Sequence, residues 1–599
     1  MKRLKLKPIL LSTAAVIAMT ATVTSTGSVA GNSLAGQLAP VVSLIDDVVS
    51  GKTPATTAGQ LKTKTPIKHL VVVFNENRSF DHYFGTYPNA INPEGEPVFE
   101  PTKNTQRDIN NLLTSPALLD NNPNATNALN GTGAANPFRL DRTQANTADQ
   151  NHGYTAEQQA FDGGKLDLFP LNTGAATAGG AGAFGTKGQV MGYFDGNTVT
   201  GLWNYAQNFA MSDNSWSDTF GPSTPGALEM FSGQTNGATF PVLSPALLPP
   251  GTPNTIAAIG PLLAAAGAAV PDGQGGLTLI GDIDPAFDTC SSTLIATQLT
   301  GKNIGDLLNA ADIPWGSFVG GFNLQTINNN GSTGCKRSSI SAVTGGGHGD
   351  YVPHHIWFQY FASTSNPTHA RPTSTKAIGY TNVPGTKKVD PANHGYDLND
   401  FFAAVGSGNF PAVSFIKQAS FQDDHPGNSN PLDAQTGLVN LINFLQDQPD
   451  WESTAVILAY DDSDGWYDHV FAAPTHGSFT VDDALNGTGN CGIPGATPEP
   501  NGLSGHPVAG RCGPGMRQPF MVISPYAKKN YVSHVFITQA SIPQFIEDNW
   551  LNGERLGGGS FDATTGSITD MFNFNKANST ALMLDPTSGT VDTKAKSKN

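Results

Sequence analysis

Only 13% of the 599 residues are charged, and cations are the scarcer sign: 32 Lys and Arg against 48 Asp and Glu, a formal net charge of −16. That balance argues against nucleic-acid binding and against strong attraction to an anionic membrane. It leaves an anionic substrate open, because a metal can invert the local field. Cysteine is scarce too, four residues with no close pair, which disfavours a cysteine metal site. Past the N-terminus no apolar run is long enough to span a bilayer, and residues 256–270 are apolar but short and Gly/Ala-rich. No internal repeat is present. What remains is ample for a core: 38% hydrophobic residues, with 67 Gly and 42 Pro, describe a loop-rich globular chain and not a disordered one.

The N-terminus reads as a secretory signal over residues 1–30. Lys2, Arg3, Lys5 and Lys7 precede an apolar stretch from Ile9 to Val23, and Ser28-Val29-Ala30 supplies small residues for cleavage. No paired arginine is present, which favours the general secretory route. The expected mature protein lies outside the cytoplasm, periplasmic or extracellular, without stable membrane insertion. Residues 31–65 read as a flexible leader. An even cysteine count in an exported chain suggests two disulfides, with Cys290–Cys335 and Cys491–Cys512 the preferred pairing.

Residues 67–74 and 454–460 are short, nearly continuous, β-branched runs, as expected of strands buried on both faces. Weaker strand candidates are 315–319, 412–416 and 520–524, with helical patterns at 436–448 and 539–551. Strands alternating with helices predict an α/β domain, a three-layer α/β/α sandwich around a mainly parallel sheet, over residues 66–599. The irregular stretches near 100–150, 172–188 and 236–285 read as surface inserts.

Both strong strands run into acidic clusters, Asn75-Glu76-Asn77-Arg78-Ser79-Phe80-Asp81 and Asp461-Asp462-Ser463-Asp464-Gly465. Ligands of open parallel sheets bind beyond the carboxyl ends of strands. Carboxylates from two such ends can converge on one divalent cation with oxygen ligands, whose identity the residues leave open. Either cluster alone would read as caps and turns. The turn Phe220-Gly221-Pro222-Ser223-Thr224-Pro225-Gly226 could present an activated hydroxyl before a helix. On spacing alone, Ser223 reads as an N-cap. His152, His354, His355 and His425 lie in polar or turn-like segments from which an imidazole could bind phosphate or protonate a leaving alkoxide. His476 and His506 read as solvated, His69 as structural, and His469 is ambiguous.

The segment Glu76-Asn77-Arg78-Ser79-Phe80-Asp81-His82-Tyr83-Phe84-Gly85 resembles the opening motif of the bacterial phosphoesterase family, which contains phospholipases C and AcpA-type acid phosphatases. Further matches follow in order: 149–153, 164–167, 191–194, the 221–226 turn, 460–469 and 519–526. The resemblance spans about residues 66–552 and implies an alkaline-phosphatase-like core. It implies Glu76, Asn77, Asp461 and Asp462 as metal ligands and Ser223 as a metal-touching nucleophile. Thr224 is the competing hydroxyl. It places His152, His354, His355 and His425 around the phosphate. The Ser223-Thr224-Pro225-Gly226 turn and the Asp461-Asp462 pair look like the acid phosphatase branch. The expectation is therefore hydrolysis of a small phosphate monoester through a phosphoserine. The first alternative is a phospholipase C or other phosphodiesterase acting on phospholipid. The second is an inactive exported binding protein.

Overall fold

A computed structural model describes residues 57–593 except 116 and 579. The predicted signal peptide and most of the predicted leader lie outside the described residues. The chain is an α/β protein built on an eight-stranded, mainly parallel mixed sheet. In chain order the strands are β1 (His69–Asn75), β2 (Ala210–Ser212), β3 (Trp315–Val319), β4 (Gly395–Asp397), β5 (Val413–Lys417), β6 (Thr454–Tyr460), β7 (Phe520–Ile523) and β8 (Tyr531–Ser533). Their spatial order is β4-β3-β5-β1-β6-β7-β2-β8, and β7 alone runs against its neighbours.

All seven residues of β1 and of β6 are buried. Both strands have a hydrogen-bonded neighbour on each side and burial on each face, so they read as unbroken apolar runs and not as alternating ones. The predicted helix at 436–448 begins earlier, as Pro431–Gln446. Asn430 caps it through the Leu432 and Asp433 N–H groups, and Pro431 occupies the first turn, where its missing N–H costs nothing. Residues 541–550 form the second predicted helix.

The 236–285 insert differs from its expected surface character. It carries strands Ala238–Leu243, Ala269–Pro271 and Leu277–Leu279 and a helix, Ile256–Ala265, and sends Ala268, Ala269, Leu277 and Leu279 into the main core. Its apolar residues are spread over short elements, which hides the pattern from periodicity. The two disulfides are Cys290–Cys335 and Cys491–Cys512. His476, expected to be solvated, is half-buried; its Nε2 lies 2.7 Å from the Asp218 carbonyl and its ring packs on Phe561. No helix among the described residues is long and apolar enough to cross a membrane.

Candidate active site

Asn75 lies opposite Tyr460 in the β1–β6 ladder, so Glu76 and Asp461 leave the sheet side by side. Lys417 ends β5 on the other flank of β1. The site is therefore assembled at the carboxyl ends of three adjacent parallel strands.

The helix α1 (Ser223–Ser232) brings the hydroxyl to this edge. Pro222, not Ser223, is its N-cap residue, so Ser223 is free of the capping role. Ser223 Oγ lies 3.0 Å from Glu76 Oε2 and 3.1 Å from Asp462 Oδ2, with both carboxylates competing for its one proton. Thr224 points elsewhere: its hydroxyl donates to the His354 carbonyl at 3.2 Å and lies 3.3 Å from the Tyr360 hydroxyl. Two glycines make this approach possible. Gly221 has φ +119, a conformation open to glycine at little cost, and a Cβ on Gly226 would lie 2.0 Å from the Asp461 carbonyl oxygen.

Asp461 Oδ1 accepts the N–H groups of Asn77 (3.2 Å) and Asp462 (2.8 Å). Asp461 Oδ2 and Asn77 Oδ1 are buried without a hydrogen-bond partner. Orphaned oxygens of this kind are costly unless something electropositive meets them. Burial, followed by repulsion from Glu76 and Asp462, pushes the Asp461 carboxyl well above the usual range. Burial pushes Asp462 up to about 7, with Glu76 adding to the rise and His152 opposing it. Burial would raise Glu76 as well, but His355 and Lys417 hold it well below its ordinary value. Three clustered carboxyls, two of them raised, and two orphaned oxygens fit a divalent cation. A second convergence overlaps this one: Glu76, His355 and His425 each offer a ligand atom, all within 4.8 Å of one another.

The four predicted histidines come together. Ring centroids are 4.5 Å apart for His354 and His355, 5.7 Å for His355 and His425, and 6.2 Å for His152 and His425. Their states differ. Burial would lower His152, but Asp462 and Asp464 hold it well above its usual value. Burial would lower His354 too, and Asp282 and Asp284 raise it. His355 is driven well below by burial, with Glu76 opposing the fall.

Several site residues were not picked out by sequence. Lys417 pairs with Glu76 and lies 3.7 Å from Asp423. A lysine closing an apolar strand beside an acidic one was its only signal. Glu157 accepts from Gly221 N (3.0 Å) and Ser463 Oγ (2.6 Å), tying the serine turn to the second acidic cluster. Asp282, in the insert, accepts the Thr224 N–H at 2.9 Å, and nothing local announces it. The ambiguous His469 belongs to another cluster, with Nδ1 2.6 Å from Asp81 Oδ2 beside Arg517.

A model of the phosphoesterase family matches residues 67–551. The non-hemolytic phospholipase C of Burkholderia pseudomallei (strain K96243) is 24% identical over 538 residues, covering 87% of this chain and 61% of that protein. This chain thus spans less than two thirds of that relative's length. Phospholipase C A of Mycobacterium tuberculosis (strain CDC 1551 / Oshkosh) is 25% identical over 483 residues, covering 78% of this chain and 69% of that protein. Among solved structures, a Vibrio parahaemolyticus protein in the alkaline phosphatase superfamily aligns over 73% of this chain and 75% of its own. Its identity is 11% and its TM-score 0.24.

Proposed function

Because the chain belongs to the phosphoesterase family, we propose that it is a metal-assisted phosphoester hydrolase of the phospholipase C kind, cleaving a phospholipid head group through Ser223. The observation that carries this reading is the Ser223 hydroxyl held between the Glu76 and Asp462 carboxylates, with a cluster of four histidines that reaches Glu76 through His355 (3.1 Å) and Asn77 through His152 (3.4 Å). The names of the relatives favour a phospholipid over a simple monoester. Glu76, Asn77, Asp461, Asp462 and Ser223 would hold one divalent cation, which when bound lowers the serine pKa and withdraws charge from the phosphoryl oxygens.

The chain's own groups supply the rest. A carboxylate beside Ser223 Oγ receives its proton as the oxygen attacks phosphorus and the bond to the lipid alkoxide breaks. His152 and His354, held above their ordinary values, bind phosphoryl oxygens and return a proton to the leaving oxygen. Water then cleaves the phosphoserine linkage and restores the hydroxyl. Glu157 keeps the serine turn and the Asp461–Asp464 loop in one register. The two disulfides support export, as the N-terminal sequence suggests.

A monoester phosphatase is the second reading, favoured by the Ser223-Thr224-Pro225-Gly226 turn and the Asp461-Asp462 pair. Turnover of phosphatidylcholine against a chromogenic phosphate monoester separates the two. Ser223→Ala should abolish both while leaving the unfolding transition intact. Turnover that survives in Ser223→Ala would end the covalent scheme.

A further inference from the structure

Asp282 occupies the backbone donor next to the Ser223 hydroxyl. Its Oδ1 accepts the N–H of Thr224, the residue after Ser223 in the first turn of α1. A helix N-terminus beside the nucleophile is a natural seat for an anionic oxygen. Here a carboxylate of the chain already fills it, close enough to His354, His152 and His355 for their charges to act on it.

The segment that follows Asp282 is tied down by several contacts. The next carbonyl, Ile283, accepts the Tyr360 hydroxyl at 2.8 Å, and that hydroxyl also reaches the His354 carbonyl at 3.0 Å. Asp284 accepts the Ser292 N–H at 2.7 Å. A few residues on, Cys290 is joined to Cys335. The backbone that carries Asp282 is thus held in place, and its carboxylate rests on the Thr224 N–H.

We propose that Asp282 is a specificity-determining residue that selects singly charged phosphodiesters over doubly charged phosphomonoesters. This rests on the phosphoester reading of the site. Asp282 removes one N–H donor from the pocket and adds one negative charge. A diester tolerates both losses, because one further oxygen is esterified and needs no donor and its net charge is only −1. A monoester near −2 loses a needed donor and meets stronger repulsion. The selectivity comes from excluding the wrong ligand as much as from attracting the right one.

Two variants separate charge from donor. Asp282→Asn keeps an acceptor for the Thr224 N–H and removes the charge; Asp282→Ala frees the donor as well. With the metal-loaded protein at about pH 8, kcat/KM is measured for p-nitrophenyl phosphate and for p-nitrophenylphosphorylcholine. The monoester-to-diester ratio should rise at least about tenfold in Asp282→Ala and less in Asp282→Asn. In parallel, calorimetry should show inorganic phosphate binding at least about tenfold tighter to Asp282→Ala, with dimethyl phosphate changing less than about threefold. Equal changes for both substrates and both anions would overturn the proposal. If the wild type turns over neither substrate, the hydrolase reading falls, and the two binding measurements still decide the role of Asp282.

Discussion

Gly226 is the sharpest test of whether the distance between helix and strand end sets activity. It lies in the first turn of α1, three residues after Ser223, and a Cβ there would lie 2.0 Å from the Asp461 carbonyl oxygen and 2.6 Å from its carbon. Contacts below 3.0 Å are not tolerated, so in Gly226→Ala the helix or the loop must retreat by about 1 Å. Both atoms are backbone, so no side chain can rotate aside. Ser223 would then move off the Glu76 and Asp462 carboxylates by a similar amount. A misplacement of that size costs about 100-fold in rate. Helix propensity acts the other way, since alanine in place of glycine favours a helix by about 1 kcal/mol. The expected result is therefore a loss in kcat of about two orders of magnitude, with net stability changed by no more than about 2 kcal/mol. Steady-state kinetics on the best substrate, with chemical denaturation alongside, reads both. A variant within threefold of wild-type kcat would show that the helix position is not limiting.

Chelation should abolish turnover, and readdition of a divalent cation should restore it. At a hundredfold excess over Kd the cation should add roughly 2.7 kcal/mol of stability, seen as a rise in Tm. Elemental analysis of Asp461→Asn should show the cation lost. Cation retained there and lost in His425→Ala would move the site to the Glu76, His355 and His425 set. Glu229, buried in α1 with Arg511 Nη2 3.7 Å from its Oε1, is pushed up to about 8 chiefly by burial, with Arg511 opposing the rise. Its folded pKa exceeds its unfolded one near 4.5, so the folded state holds the extra proton and stability falls as pH rises from about 4.5 to about 8. Glu229→Gln should remove this fall in stability, at most about 5 kcal/mol across the window at about 1.4 kcal/mol per pKa unit, and so flatten the profile of Tm against pH. Parallel Tm profiles for the two proteins would refute the assignment.

The parts of this protein legible in its sequence are those whose chemistry is written in consecutive residues. Strands β1 and β6 stood out because burial on both faces leaves their interiors apolar, with polar residues only at the ends, and Glu76, Asn77, Asp461 and Asp462 followed by adjacency to those ends. Strands β2, β4 and β8 have three residues each, too few for any period. In sequence Ser223 is indistinguishable from an N-cap; in the fold Pro222 takes that role and the serine hydroxyl lies between two carboxylates. Lys417, Glu157 and Asp282 owe their roles to contacts across 341, 64 and 58 positions of chain, which no local pattern encodes. The same division separates the two functional readings. The turn and the acidic pair, local features both, point toward a monoesterase, whereas Asp282 is placed against the pocket by an insert and points toward diesters. Substrate choice in such a site is a property of the wall facing the nucleophile. The wall comes from a different stretch of chain than the catalytic motif, so the motif can name the reaction without naming the ester.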